Sequence, residues 1–188
     1  MRGYLAALMI IVVSTLALQG RSARAAEPTA AGLWEQVSKS TGKPDAWFLV
    51  SEHDGLYEAT LVKILAKSGA RPNPLCTECS GEQKNAPWLG LTVVKGMEQN
   101  GLDYDHGTIL DPRDGSQYYG RMWLSPDGKS LTVRGYLGID PLGGDETWRR
   151  LPNAAFNKLD PALAAGHMPT LTAESGIASS KSERAESR

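Results

Sequence analysis

The stretch Gln117-Tyr118-Tyr119-Gly120-Arg121-Met122-Trp123-Leu124-Ser125-Pro126-Asp127-Gly128-Lys129-Ser130-Leu131-Thr132-Val133-Arg134-Gly135-Tyr136-Leu137 decides the fold. Asp127-Gly128 is a tight-hairpin dipeptide, and the runs on either side are rich in β-branched and aromatic residues. Along the first run Tyr118, Gly120, Met122 and Leu124 share one face, while Gln117, Tyr119, Arg121 and Trp123 share the other. Along the second, Leu131, Val133, Gly135 and Leu137 form an apolar face. This period of two is that of an antiparallel pair with one face on a core.

The same grammar extends in both directions. Eight short runs are punctuated by Gly, Pro, Asn and Asp: Leu33 to Val37, Ala46 to Glu52, Leu56 to Leu65, Leu89 to Lys95, Asp103 to Leu110, Gln117 to Ser125, Ser130 to Ile139 and Glu146 to Leu151. Asp54-Gly55 and Asp114-Gly115 mark two further hairpins. No stretch within this unit sustains helical periodicity, which disfavours a parallel sheet with crossover helices. An all-β meander has two exposed edges unless its first and last strands pair, so an eight-stranded antiparallel up-and-down barrel is expected over residues 32–151. Such a barrel is either packed with side chains or holds one small ligand. Gly120 and Gly135, facing each other across a hairpin, fit a ligand cavity and fit the tight coiling of a small barrel equally well.

The ends of the chain read differently. Met1-Arg2, an apolar run from Leu5 to Leu18 and Ala23-Arg24-Ala25 have the pattern of a cleaved leader, residues 1–25. The apolar run is shorter than the roughly 20 residues that span a bilayer. No Cys stands near the cleavage point to become a lipidated terminus, so no membrane anchor is expected in the mature form and a periplasmic address is. Residues 152–188 carry a single aromatic, Phe156, and end in a charged Ser-rich run; they are expected to be a disordered tail, with a short helix around Pro161 to Gly166. The whole chain holds 20 basic and 21 acidic residues. Removing Arg2, Arg21 and Arg24 with the leader makes the product more acidic, which argues against nucleic acid as a partner.

Several motifs in order resemble a bacterial envelope family known as domain of unknown function 2147. They are Gly32-Leu33-Trp34, Pro72-Asn73-Pro74-Leu75-Cys76-Thr77-Glu78-Cys79, Ile109-Leu110-Asp111-Pro112, Leu131 to Gly138 and Thr147-Trp148-Arg149. The resemblance implies a secreted, lipocalin-like barrel and a small apolar ligand, and no established activity. In the similar lipocalin pattern a Gly-x-Trp indole sits at the barrel floor with an Arg stacked across it. Trp34 takes the first role, and Arg149 or Arg150, which face opposite ways, the second.

The chemistry-bearing residues are sparse. Cys76 and Cys79 lack the further ligands of a zinc site and the helix start of a redox site, so a local disulfide is expected. His53, His106 and His167 lie apart, and Asp103, Asp105 and His106 lack the rest of a calcium loop. No phosphate loop, nucleophile elbow or zinc helix is present, so neither catalysis nor a metal or cofactor is assigned. The expected ligand-binding positions are Trp34, Tyr118, Met122 and Leu137, with Arg134 and Tyr136 as a polar anchor if a bulge at Gly135 turns them inward. The long connection from Ala66 to Trp88 is expected to be a lid or a packed plug. The leading expectation is a carrier of a small, largely apolar molecule. Its rival is an envelope interaction or stress factor with a packed barrel, which exposed Trp88 or Trp123 would favour. The oligomeric state is open.

Overall fold

The computed structural model describes residues 28–65, 72–138 and 143–165. The expected leader and the chain beyond residue 165 lie outside the described residues. Eight antiparallel strands run in chain order: β1 (Gly32–Val37), β2 (Pro44–His53), β3 (Leu56–Ile64), β4 (Thr92–Asn100), β5 (Asp103–Leu110), β6 (Gln117–Leu124), β7 (Ser130–Tyr136) and β8 (Gly144–Arg150). Each pairs with its sequence neighbours, and β8 returns to β1 through Trp34–Arg150, Glu35–Arg149 and Gln36–Trp148, so the barrel closes and has no free edge. The β2–β3 hairpin turns on Asp54 and Gly55, at φ of 53° and 82°, the left-handed pair such a turn needs.

Alternation divides the strands as the sequence suggests. Gly120, Met122 and Leu124 are buried inside, whereas Tyr119 is 60% exposed outside. Pairing of β6 with β7 is regular from Tyr119–Tyr136 to Leu124–Leu131. A bulge in β5, between Tyr104 and Gly107, shifts the parity there, with His106 at φ 64°. The fourth strand starts and ends later than expected, because Gly96 and a register shift beside Val94 break its alternation.

The main core fills the barrel, with Trp34, Phe48, Met97, Tyr104, Met122, Leu131 and Trp148 among its buried members. A second cluster lies outside the wall. Leu33, Trp47, Leu49 and Val62 project from the outer faces of β1 to β3 and pack against Ala155 and Leu159. The expected tail therefore begins too early at residue 152. A 3-10 helix (Asn153–Lys158) covers this apolar patch, and a short helix, α1 (Pro161–Ala165), follows. The tail's own composition is poor in apolar groups, but the barrel supplies the other half of the contact.

Candidate ligand site

The antiparallel order places residues 28–31 and the β2–β3, β4–β5 and β6–β7 turns at one end, the floor, and the remaining connections at the other, the mouth.

The floor is sealed. Trp34 is fully buried and donates its indole N–H to Ala30 O at 2.8 Å. The Ala30 N–H in turn donates to the Tyr104 hydroxyl at 2.8 Å. Arg150 lies over the Trp34 ring, 4.2 Å from its centroid, and donates to the carbonyls of Ala31, Thr29 and Gly128 at 2.7, 2.5 and 2.5 Å. Between the two expected arginines the register chooses Arg150; Arg149 faces outward and pairs with Glu35 at 3.0 Å. The glycine of Gly32-Leu33-Trp34 is explained as well. At φ 135°, a Cβ there would stand 2.6 Å from Arg150 Nη1. Burial pushes the Tyr104 hydroxyl up to about 12, although the Ala30 hydrogen bond and the Arg150 charge act against it.

Toward the mouth, one row of the inner wall has no side chains. Gly107 pairs with Gly120, Gly120 with Gly135 and Gly135 with Gly144, a belt of four glycines across β5 to β8. What would be their side-chain space is partly taken by neighbours. A Cβ on Gly107 would meet Met97 Sδ at 2.5 Å, and one on Gly120 would meet Met97 Cε at 2.4 Å and Ile109 Cγ1 at 2.9 Å. Tyr118 lies against Gly135, and a Cβ on Gly144 would meet no atom of the described residues within 4 Å. A separate cleft of about 190 Å3 under Gln83 opens at the wall between β4, β5 and β6, where exposed Lys95, Thr108 and Gln117 line it together with Ile109.

The long β3–β4 connection behaves as a plug. Cys76 and Cys79 are disulfide-bonded, 0% and 2% exposed, and belong to the main core. Trp88 and Leu91 pack with them, and Cys76 Sγ lies 3.4 Å from Pro112 O of the β5–β6 turn.

Of the expected ligand-binding residues, Trp34 is part of the floor, while Tyr118 and Met122 face the interior. The other three do not. With no bulge at Gly135, Arg134 and Tyr136 stay on the outer face, where Arg134 pairs with Asp145 and lies over Trp123, and Tyr136 packs on Tyr119. Leu137 lies beyond the end of β7 and is 65% exposed. The sequence did not point to Met97, Gly107, Gly144, Gln36 or Glu146. Glu146 faces inward, two residues from buried Trp148 and opposite buried Val133, and accepts a hydrogen bond from Gln36 Nε2. Among the described residues no group of three His, Cys, Asp or Glu side chains could hold a metal.

The family model for an uncharacterized protein conserved in bacteria (DUF2147) matches residues 32–150. The chain belongs to this family. The match covers every strand of the barrel. Protein HP1028 from the human pathogen Helicobacter pylori, described as belonging to the lipocalin family, has a similar solved structure. The two align with a TM-score of 0.60 at 19% identity, over 70% of this chain and 90% of that one. At such identity the likeness carries the fold, and the barrel is lipocalin-like. No curated protein matches the chain.

Proposed function

We propose that this family member is an exported, periplasmic protein that binds and carries a small, largely apolar molecule inside its barrel, without catalysis. The observation that carries the reading is the glycine belt, where four consecutive strands present backbone at one level of the inner wall and the space is occupied by the side chains of Met97, Ile109 and Tyr118, with Lys95 O beside Gly107. A methionine has three flexible torsions and a soft sulfur, so it can yield its place to another apolar group at small cost. Export is supported by the basic start, apolar run and small-residue site of residues 1–25.

The test is binding of the neutral fluorescent probe N-phenyl-1-naphthylamine to the protein and to two variants. Met97→Ala should bind several-fold more tightly, because the occupying side chain is gone. Gly144→Val, whose Cβ would meet no atom of the described residues within 4 Å, should fold normally and bind more weakly. Unchanged binding in both variants, or no binding by any form, would refute the reading.

A second reading, an interaction factor with a permanently packed barrel, rests on the outer face of β6 and β7. There Tyr119 and Tyr136 pack with ring centroids 5.8 Å apart beside exposed Leu137, and aromatic anchors are common in protein interfaces.

A further inference from the structure

The open end of the glycine belt has a polar edge that the apolar-ligand reading does not use. Gly144, Glu146 and Trp148 share the inner face of β8. Glu146 is partly exposed there, between open Gly144 and buried Trp148. Gln36 donates to Oε2 of Glu146, and among the described residues Oε1 receives no hydrogen bond. Arg113, from the β5–β6 turn, feels the Glu146 charge, yet its guanidinium is engaged by Asp111, with Nε at 2.8 Å and Nη2 at 2.5 Å. Next along the strand face, the Trp148 ring is 2% exposed and stacked on Phe48 at 4.3 Å. Its Nε1–H is buried with no hydrogen-bond partner among the described residues. A buried orphan donor in a folded protein calls for an explanation. An acceptor and a donor therefore share one wall, below Gly144, where an added Cβ would meet no atom of the described residues within 4 Å.

We infer, building on the carrier reading, that the ligand bears an amide-type head group, which donates N–H to Glu146 and accepts from Trp148 while its apolar body lies along the glycine belt. The alternatives fit less well. A hydrocarbon leaves both groups unsatisfied, an ammonium satisfies Glu146 alone, and a carboxylate is repelled by it.

Naphthamide, methylnaphthalene, naphthylmethylammonium and naphthoate, substituted at the same ring position, separate these cases by calorimetric titration of the purified protein. The amide should bind about tenfold or more tightly than the methyl compound, and the carboxylate most weakly. Glu146→Met and Trp148→Phe should each narrow the gap between the amide and methylnaphthalene severalfold, the amide losing a partner and the hydrocarbon no longer leaving that group unsatisfied. Glu146→Met alone decides the matter if the loss of Phe48 stacking unfolds Trp148→Phe. An amide no better than the methyl compound, or an ammonium that binds best, would overturn the head-group assignment and leave the belt reading standing. If none of the four binds the protein or its Met97→Ala variant, the belt reading falls and takes the assignment with it.

Discussion

Arg150 and Trp34 are direct partners in the β1–β8 pairing, and the guanidinium lies 4.2 Å from the centre of the indole ring. One side chain thus joins the first strand, the last strand, the segment before β1 and the β6–β7 turn. Burial lowers the pKa of Arg150 from its ordinary value, with the Tyr104 interaction opposing that, but an arginine starts so high that the charge is kept at neutral pH. Arg150→Met should cost about 2–4 kcal/mol in urea unfolding, through the lost ring contact and three carbonyls left without a donor. Arg150→Lys should recover little, since an ammonium lacks the guanidinium fork. Arg149→Met, on the outer face, should cost less than about 1 kcal/mol.

Stability should fall in alkali through Tyr104. Its folded-state pKa is raised to about 12 from 10.0, so between those values the folded chain holds the proton that the unfolded chain has lost. The contribution is whole below pH 10 and disappears as pH rises toward 12. Tyr104→Phe should flatten that alkaline loss in thermal melts, while lowering stability at neutral pH by about 1–2 kcal/mol, because the Ala30 N–H loses its acceptor. An alkaline profile unchanged by the substitution would contradict this.

The plug loop should prove structural rather than mobile in function. Non-reducing mass spectrometry should find Cys76 and Cys79 oxidised. Breaking the bond by Cys79→Ser should cost about 2 kcal/mol or less, since the closed ring is short. Deleting residues 71–85 removes two fully buried members of the core, so loss of the β circular dichroism spectrum is expected. A deletion that folds and binds apolar probe as before would show the loop to be dispensable.

The segment after β8 should stabilise the barrel wall. Leu159 is 8% exposed, in the cluster with Leu33, Trp47, Leu49 and Val62. Leu159→Ala should cost about 2–4 kcal/mol in chemical unfolding, and a neutral result would return this segment to the disordered tail expected from its composition.

The barrel was legible because its turns are written in local chemistry: Asp54-Gly55, Asp114-Gly115 and Asp127-Gly128 each lie between consecutive strands of the structure. The floor was legible through Gly32 and Trp34, and the choice between Arg149 and Arg150 needed only the register. The glycine belt was half legible. Gly120 and Gly135 face each other in regular alternation, but alternation from Tyr104 would place Gly107 on the outer face, and only the bulge after Tyr104 turns it inward. Gly144 was missed because β8 begins two residues before the expected run. An inward Arg134 and Tyr136 require a bulge at Gly135 that the backbone does not make; the competing parity of Leu131 and Val133 decides their direction. Met97 could not be found from its own strand, where Gly96 interrupts the pattern.

Native mass spectrometry of the intact protein isolated from the cells that produce it tests the carrier reading most directly. The expected result is one small molecule retained per chain, released on unfolding and absent from Gly144→Val prepared in the same way. A bare polypeptide mass, or a protein partner in place of the small molecule, would contradict it.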